Sequence, residues 1–499
     1  MTGGRFLCAA LVFMIASACE GQTLVPAANG SALFSKPTDM ERTSALQLES
    51  RILGQTRPVF VGVPRSFAKT TRSYPVLIVL DGEAQFPIAV TVTSQLAALG
   101  HMPETIVVGI PNLDQMDGRV HDMTPPGLSV SGSSKNEGGE KFLDFIEKEL
   151  MPALEKQYRA NGMIILEGHS SGGVIASYAA ATRPAFSFVL SLDLPAHLGD
   201  NWIPHRMMER AGRMASTPLR YVSLESRFGW NDSTWALFTK TAPKDWRLTR
   251  QKVDHESHVS LPFVGLYLGL RTLFEDYQVR SAPESPTTRT LTYYHDMEKS
   301  WGYPVIPPSG LLRQLFEDLE MEGQSRAAAE AYRLLVDGYG APADSADFNK
   351  RLADLAKLPP LTETVEGLLS TPAPGISEAR RFIGEWRGAD WINEEDKHEI
   401  RLRLRDSAGV LTGEWLSYPE PGVELVEKLT YLKVVPNGLD FGFMNGMRPR
   451  GMLIHEGRFD GEALKGVMRF GGVRIVRPPG MPGPPTVWFE LRRVTQLRQ

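Results

Sequence analysis

Short strand-like runs rich in apolar residues recur along the first half of the chain, at 59–63, 75–80, 105–110, 163–166, 186–192 and 219–224, several of them apolar on consecutive positions, with a more polar run at 247–253. Runs that stay apolar on successive positions suit strands buried on both faces of a mainly parallel sheet. Between two of them Phe142, Phe145, Ile146, Leu150, Ala153 and Leu154 recur at helical spacing, interrupted by Pro152. The alternation of strand and helix over 51–277 predicts a three-layer α/β sandwich.

The texture then changes twice. From 307 to 358 the strand signal is lost, and Leu311, Leu312, Leu315, Phe316 and Leu319 share one helical face, with Ala331, Leu334 and Leu335 on the next. This predicts a helical hairpin segment over 305–358 that resembles a single tetratricopeptide unit; one partial copy establishes no repeat. A stretch with Pro and Thr at 359–375 reads as a linker. Beyond it, segments at 399–404, 411–416, 428–435, 438–443, 451–454, 463–468 and 487–491 alternate apolar and polar residues between Pro-Asn-Gly and Asp-Gly turns. Period-two patterning of this kind predicts an antiparallel sheet closing on itself over 376–496. Phe382-Ile-Gly-Glu-Trp386 at its start gives the barrel a lipocalin-like character and says nothing of a ligand.

A length of 499 residues is more than one ordinary core holds, in keeping with an α/β domain at 40–280 followed by the segments above. A formal charge of -4 offers no basic excess to neutralise phosphates, which argues against nucleic acid as a partner. Residues 1–18 carry Arg5 ahead of an apolar run too short to span a bilayer, the pattern of a secretory leader. Export to the periplasm is therefore expected. The two cysteines are Cys8, inside the leader, and Cys19, directly after it, so the exported part can form no internal disulfide. Ala16-Ser-Ala-Cys19 resembles a lipoprotein box, except that Ala16 stands where a larger aliphatic is usual. Two readings stand: a membrane tether through lipidated Cys19, or plain cleavage with the cysteine incidental. Oligomeric state is not legible.

The chemistry concentrates at Gly168-His-Ser-Ser-Gly172, which interrupts an apolar run ending at Leu166 and precedes Val174, Ala176, Tyr178 and Ala179. Strand, tight turn with a serine, then helix is the context of a nucleophile elbow, which exposes Ser170 at the carboxyl edge of the sheet. Side chains at Gly168 or Gly172 would be expected to collide with the adjacent strand or helix. A hydroxyl needs a base to take its proton. Hydrolase order puts that base after the last strand, where Val253-Asp-His-Glu-Ser-His258 offers His255 and His258. His258, further into the loop and just ahead of a helical pattern at 261–274, is the better placed; His255 reads as a surface or packing residue.

Several separated motifs resemble bacterial serine esterases of the esterase D type, which include periplasmic siderophore esterases. They are Tyr74-Pro-Val-Leu-Ile-Val-Leu-Asp-Gly-Glu83, Val107-Val-Gly-Ile-Pro-Asn112 continuing through Arg119 to Asp122-Met-Thr-Pro125, Phe142-Leu-Asp-Phe-Ile-Glu-Lys-Glu-Leu150, the elbow itself, and Glu256-Ser-His-Val-Ser-Leu-Pro262 with Leu266-Tyr-Leu-Gly-Leu-Arg-Thr-Leu-Phe274. The resemblance spans about 51–277 and implies an α/β-hydrolase fold with Ser170 as nucleophile and His258 as base. A carboxylate after the sixth or seventh core strand should orient the imidazole. Glu225 is the first choice, with Asp232 and Asp193 as alternatives, and some relatives work with a serine-histidine dyad. For the oxyanion, the Ser171 N–H should be one donor and the N–H of Gly82 or Glu83 the other. Arg119 is a candidate for a polar or anionic substrate group, or for a surface salt bridge with Asp122. Ser191-Leu-Asp-Leu-Pro-Ala-His-Leu-Gly-Asp-Asn-Trp202 departs from the family's usual serine-rich turn, so the pocket wall is altered.

The expected activity is hydrolysis of a small-molecule carboxylic ester through an acyl-enzyme. Two competitors are acyl transfer on the same fold and a catalytically inactive binding protein. No metal set stands out, because a hydrolase loop accounts for His255 and His258 beside Asp254 and Glu256. The absence of a phosphate-cradling Gly-Lys loop argues against a nucleotide cofactor.

Overall fold

The computed structural model describes residues 42–494 apart from 114, 129–137, 280–287, 343, 358–360, 362, 394, 396, 421, 445–450 and 474–485. The leader and Cys19 lie outside the described residues.

The first sheet is built from β1 (Thr43–Ser50), β2 (Gln55–Gly62), β3 (Tyr74–Val79), β4 (Ile106–Gly109), β5 (Ala160–His169), β6 (Phe188–Leu192), β7 (Arg220–Glu225) and β8 (Arg247–Lys252). Their spatial order is β1-β2-β4-β3-β5-β6-β7-β8. β1 and β2 pair antiparallel, as do β2 and β4, and every neighbouring pair from β4 to β8 is parallel. Strands β3, β4 and β6 are buried at every position, in keeping with their largely apolar runs. Helices cover both faces and complete the three layers. The face that carries Ile78, Leu166 and Val189 packs against the helix Ser171–Thr182, and the face that carries Val79, Ile165 and Leu190 packs against Leu261–Leu273.

The helix expected around 142–154 exists and extends further. Gly139–Phe145 continues through a π turn, Ile146–Leu150, into Met151–Tyr158. The wide turn falls just ahead of Pro152, whose missing N–H it accommodates. The helix Thr288–Trp301 adds Tyr294, Met297 and Trp301 to the core shared with Phe188 and Phe274, so this core runs past the expected boundary at 280.

Within 305–358, expected as a helical hairpin, the described residues form three helices, Ser309–Met321, Ser325–Tyr339 and Ser345–Leu355, which bury Leu315, Phe316, Ala331 and Phe348 together. The stretch read as a linker is partly structured. Its helix Val365–Leu369 packs Val365 and Leu368 against Tyr431, Met452 and Ile454 of the last domain. Among the described residues that domain is a nine-stranded antiparallel sheet spanning Gly384–Arg493. Its two outermost strands, Val423–Lys428 and Tyr431–Val435, are consecutive in the chain and pair with one partner each, so among the described residues the sheet is an open half-barrel. No helix among the described residues is long and apolar enough to cross a membrane.

Candidate active site

Three non-glycine residues with left-handed backbones stand at the carboxyl ends of the adjacent strands β3, β5 and β6: Asp81 (φ 52), Ser170 (φ 58) and Asp193 (φ 47). Such conformations cost on the order of 1–3 kcal/mol each and persist where the surroundings enforce them. The enforcement is visible. The Ser170 N–H donates to the Leu192 carbonyl (2.9 Å), and the Asp193 N–H donates to that of Leu224 (2.8 Å), so each turn is anchored to the next strand. This rim, where the chain leaves parallel strands, is where open α/β sheets bind ligands.

Ser170 is the residue before the helix Ser171–Thr182, with φ 58 and ψ -115, and its side chain makes no capping bond to that helix. The residue is partly exposed, and its hydroxyl has no hydrogen-bond partner among the described residues. Gly168 is required by space, since a Cβ there would lie 2.1 Å from the Gly172 carbonyl oxygen. The same expectation for Gly172 is not met: its nearest contacts would be Leu80 atoms at 3.6 Å, an ordinary van der Waals distance.

His258 reaches this rim from the loop before Leu261–Leu273. Its Nδ1 lies 3.0 Å from Asp193 Oδ2. The ring is tilted against that of His169 at 4.4 Å, beside Ser170, and meets the edge of Phe228 at 5.1 Å. His255 is exposed, with φ 69, and enters none of these contacts. An Nδ1–H donated to Asp193 leaves Nε2 as the lone-pair nitrogen of the neutral ring. Asp193 is fully buried and also accepts from the Ser226 N–H (2.5 Å) and hydroxyl (2.6 Å) and from the Arg227 N–H (3.1 Å). Burial alone would push its pKa up; the Ser226 bonds, then His258 and Arg227, hold it below the ordinary carboxylate value.

Glu225, the first choice for this partner, is elsewhere. It accepts from Arg250 Nε at 2.9 Å and from the Trp230 N–H at 2.8 Å, and Asp232 sits on the same arginine. The physical reason is register: Ser223 of β7 pairs with Arg250 of β8, which brings that guanidinium beside Glu225. The residue that pairs with His258 was among the alternatives; the signal for it was an aspartate ending an apolar run.

Two further expectations are corrected. The Gly82 N–H is spent on the Ile110 carbonyl at 3.0 Å, and a Cβ at Gly82 would come 2.6 Å from Ile110 N, so this glycine allows a close crossing and donates nothing to a ligand. The N–H groups of Glu83 and Ser171 donate to no backbone carbonyl among the described residues and sit at the starts of helices, where an anion is favoured. Arg119 does not pair with Asp122, which bonds Arg57 at 2.8 Å, nor does it stand free for a substrate. Its Nε and Nη2 hold the two Asp81 oxygens at 2.6 and 2.9 Å.

The donor atoms of His169, Asp193 and His258 lie within 4.8 Å of one another, a spacing a divalent cation tolerates, but both Asp193 oxygens are occupied by the bonds above. Burial, then His258, lowers the His169 pKa to about 4, so the ring tilted against His258 is neutral across the physiological range.

Beneath the rim, Glu167 is fully buried and neither carboxyl oxygen has a hydrogen-bond partner among the described residues. Burial, and then Asp81, pushes its pKa well up. The folded state therefore keeps a proton that the unfolded chain releases above about pH 4.3, and stability is lost as pH rises from there toward the native value. Glu167→Gln is expected to raise the Tm more at pH 8 than at pH 5, measured by calorimetry; an equal change at both values would show that Glu167 is not held neutral.

The strand order and the turn that sets Ser170 between a parallel strand and a helix are those of an α/β-hydrolase-like fold. The "Putative esterase" family model matches residues 50–243, ending ahead of His258. Through this domain the chain belongs to the esterase family. A siderophore triacetylfusarinine C esterase of Aspergillus fumigatus is 31% identical over 118 residues, which are 22% of this chain and 40% of that protein. The chain thus matches less than half the length of that relative. Among solved structures, an IroE-like serine hydrolase from Shewanella oneidensis is 30% identical, with 59% of this chain and 97% of that one covered and a TM-score of 0.47. The siderophore hydrolase EstB from Aspergillus nidulans is 20% identical, with 50% and 99% covered and a TM-score of 0.40.

Proposed function

We propose that the protein is a serine esterase that cleaves a small-molecule carboxylic ester through an acyl-enzyme. The observation that carries this reading is the 3.0 Å contact between His258 Nδ1 and buried Asp193 at the rim that also carries the partly exposed Ser170. Ser170 Oγ attacks the ester carbonyl as His258 Nε2 takes its proton, and Asp193 stabilises the imidazolium. The Ser171 and Glu83 N–H groups receive the oxyanion. Collapse of the tetrahedral adduct expels the alcohol, which takes the proton from His258. Water, activated by the same nitrogen, then releases the acid.

Siderophore esters are the first substrates to assay, because the Aspergillus fumigatus relative is named for one. The leader pattern at 1–18 supports an exported location, and the Cys19 box supports a membrane tether. The test of the core claim is covalent. A fluorophosphonate should label the protein stoichiometrically, with the adduct on the peptide that holds Ser170 by mass spectrometry. A folded protein that takes no label, or a label on another serine, would falsify the assignment.

A further inference from the structure

The turn after β3 and the turn after β5 carry the two N–H groups assigned to the oxyanion, and they are not joined by chain. They are joined by a side chain from a third element. Arg119, on the helix Gln115–Met123, grips Asp81 with Nε and Nη2 at 2.6 and 2.9 Å, and the same Nη2 donates to the His169 carbonyl at 3.1 Å. One rigid guanidinium therefore spans the residue two before Glu83 and the residue two before Ser171. Asn112 Nδ2 reinforces the first turn, donating to Asp81 Oδ1 and Glu83 Oε1 at 2.8 Å each.

We infer that Arg119 is a positioning residue: it sets the separation of the Glu83 and Ser171 N–H groups so that both aim at one substrate oxygen. The inference rests on the serine-esterase reading. Two physical arguments support it. Asp81 occupies a left-handed conformation, and the paired hydrogen bonds from Arg119 add to the backbone and Asn112 bonds that hold its turn there. Asp81 is also a carboxylate beside the place where negative charge develops, so without the guanidinium it would oppose the transition state. With its side chain 18% exposed and three of its N–H bonds directed to protein oxygens, Arg119 is committed to the scaffold. Lysine offers a point charge and no fork, and cannot make this bridge.

The experiment uses the full chain and p-nitrophenyl acetate, an ester with no charged group for Arg119 to bind. Arg119→Lys and Arg119→Ala are expected to lower kcat by about 100-fold, the cost of a misplaced or missing oxyanion donor, with KM within about threefold. The rate of fluorophosphonate labelling should fall in parallel, because that reaction builds the same oxyanion, and free guanidinium should restore part of the rate to the Ala variant. Should the Ala variant fail to fold, Arg119→Lys and Asp81→Asn, each checked by Tm, carry the same expectation. A kcat within about threefold of wild type overturns the inference, and so does a raised KM at unchanged kcat, which would make Arg119 a substrate contact. The two levels separate cleanly. Wild type that resists labelling at Ser170 sinks the esterase reading, whereas wild type that is labelled while folded Arg119 variants match its rate sinks this inference alone.

Discussion

Ser170→Ala is expected to lower kcat for p-nitrophenyl acetate by about 10⁶-fold, the loss that follows removal of the nucleophile from comparable triads. The fold should survive, because the side chain makes no bond to the helix it precedes and alanine occupies the same backbone no worse than serine. Ser170→Gly makes the complementary case. Glycine adopts φ 58 without steric cost, so this variant should be equally inactive yet more stable by about 1 kcal/mol. A protein that loses activity and gains stability at one position has kept a strained serine for chemistry and not for folding. Residual turnover only tenfold below wild type would place the nucleophile elsewhere.

The parts of this site differ in how far the chain itself announces them. The elbow was legible because it joins two strong local signals, an apolar run on β5 and a small-residue helix start, with a serine between them. The buried strands were legible for a related reason: burial on both faces leaves no polar position to blur the run. β1 is weakly marked in the sequence, since its burial alternates weakly and its larger apolar residues, Leu46 and Leu48, stand among small or polar neighbours. The edge strand Val423–Lys428 was missed on the same ground, being exposed at every position. Open edges carry little pattern because no core constrains them. In the last domain the period-two pattern set the strands, but closure depends on edges the pattern does not mark.

The side-chain pairings at the proposed site are less legible than the elements that carry them. Glu225 and Asp193 both end apolar strands, and nothing local separates them. What separates them is lateral: Arg250, one strand over, takes Glu225, while the turn at 226–228 folds its N–H groups onto Asp193. Arg119 shows the same limit. Spacing along the chain suggests Asp122 as its partner, whereas the structure gives it Asp81, in the turn after β3.

Asp193→Asn is the variant that tests this lateral argument. Asn keeps the shape and can still accept from the Ser226 and Arg227 N–H groups, but the atom facing His258 becomes an amide nitrogen. Donor then faces donor, the imidazole turns to the other tautomer, and kcat is expected to fall by about 10⁴-fold. Glu225→Gln should leave kcat within a few-fold of wild type and cost stability instead, because it removes the charge that Arg250 holds. The Asp193 contribution also has a pH sign. Its native pKa is depressed, so its stabilisation is complete above the unfolded value of about 3.9 and is lost as pH falls through the lower native value. The Tm gap between wild type and Asp193→Asn should therefore be widest near neutrality and close in acid. A small kinetic effect at Asp193 with a large one at Glu225 would return the acid role to the end of β7, and would require His258 to swing away from the carboxylate it now faces.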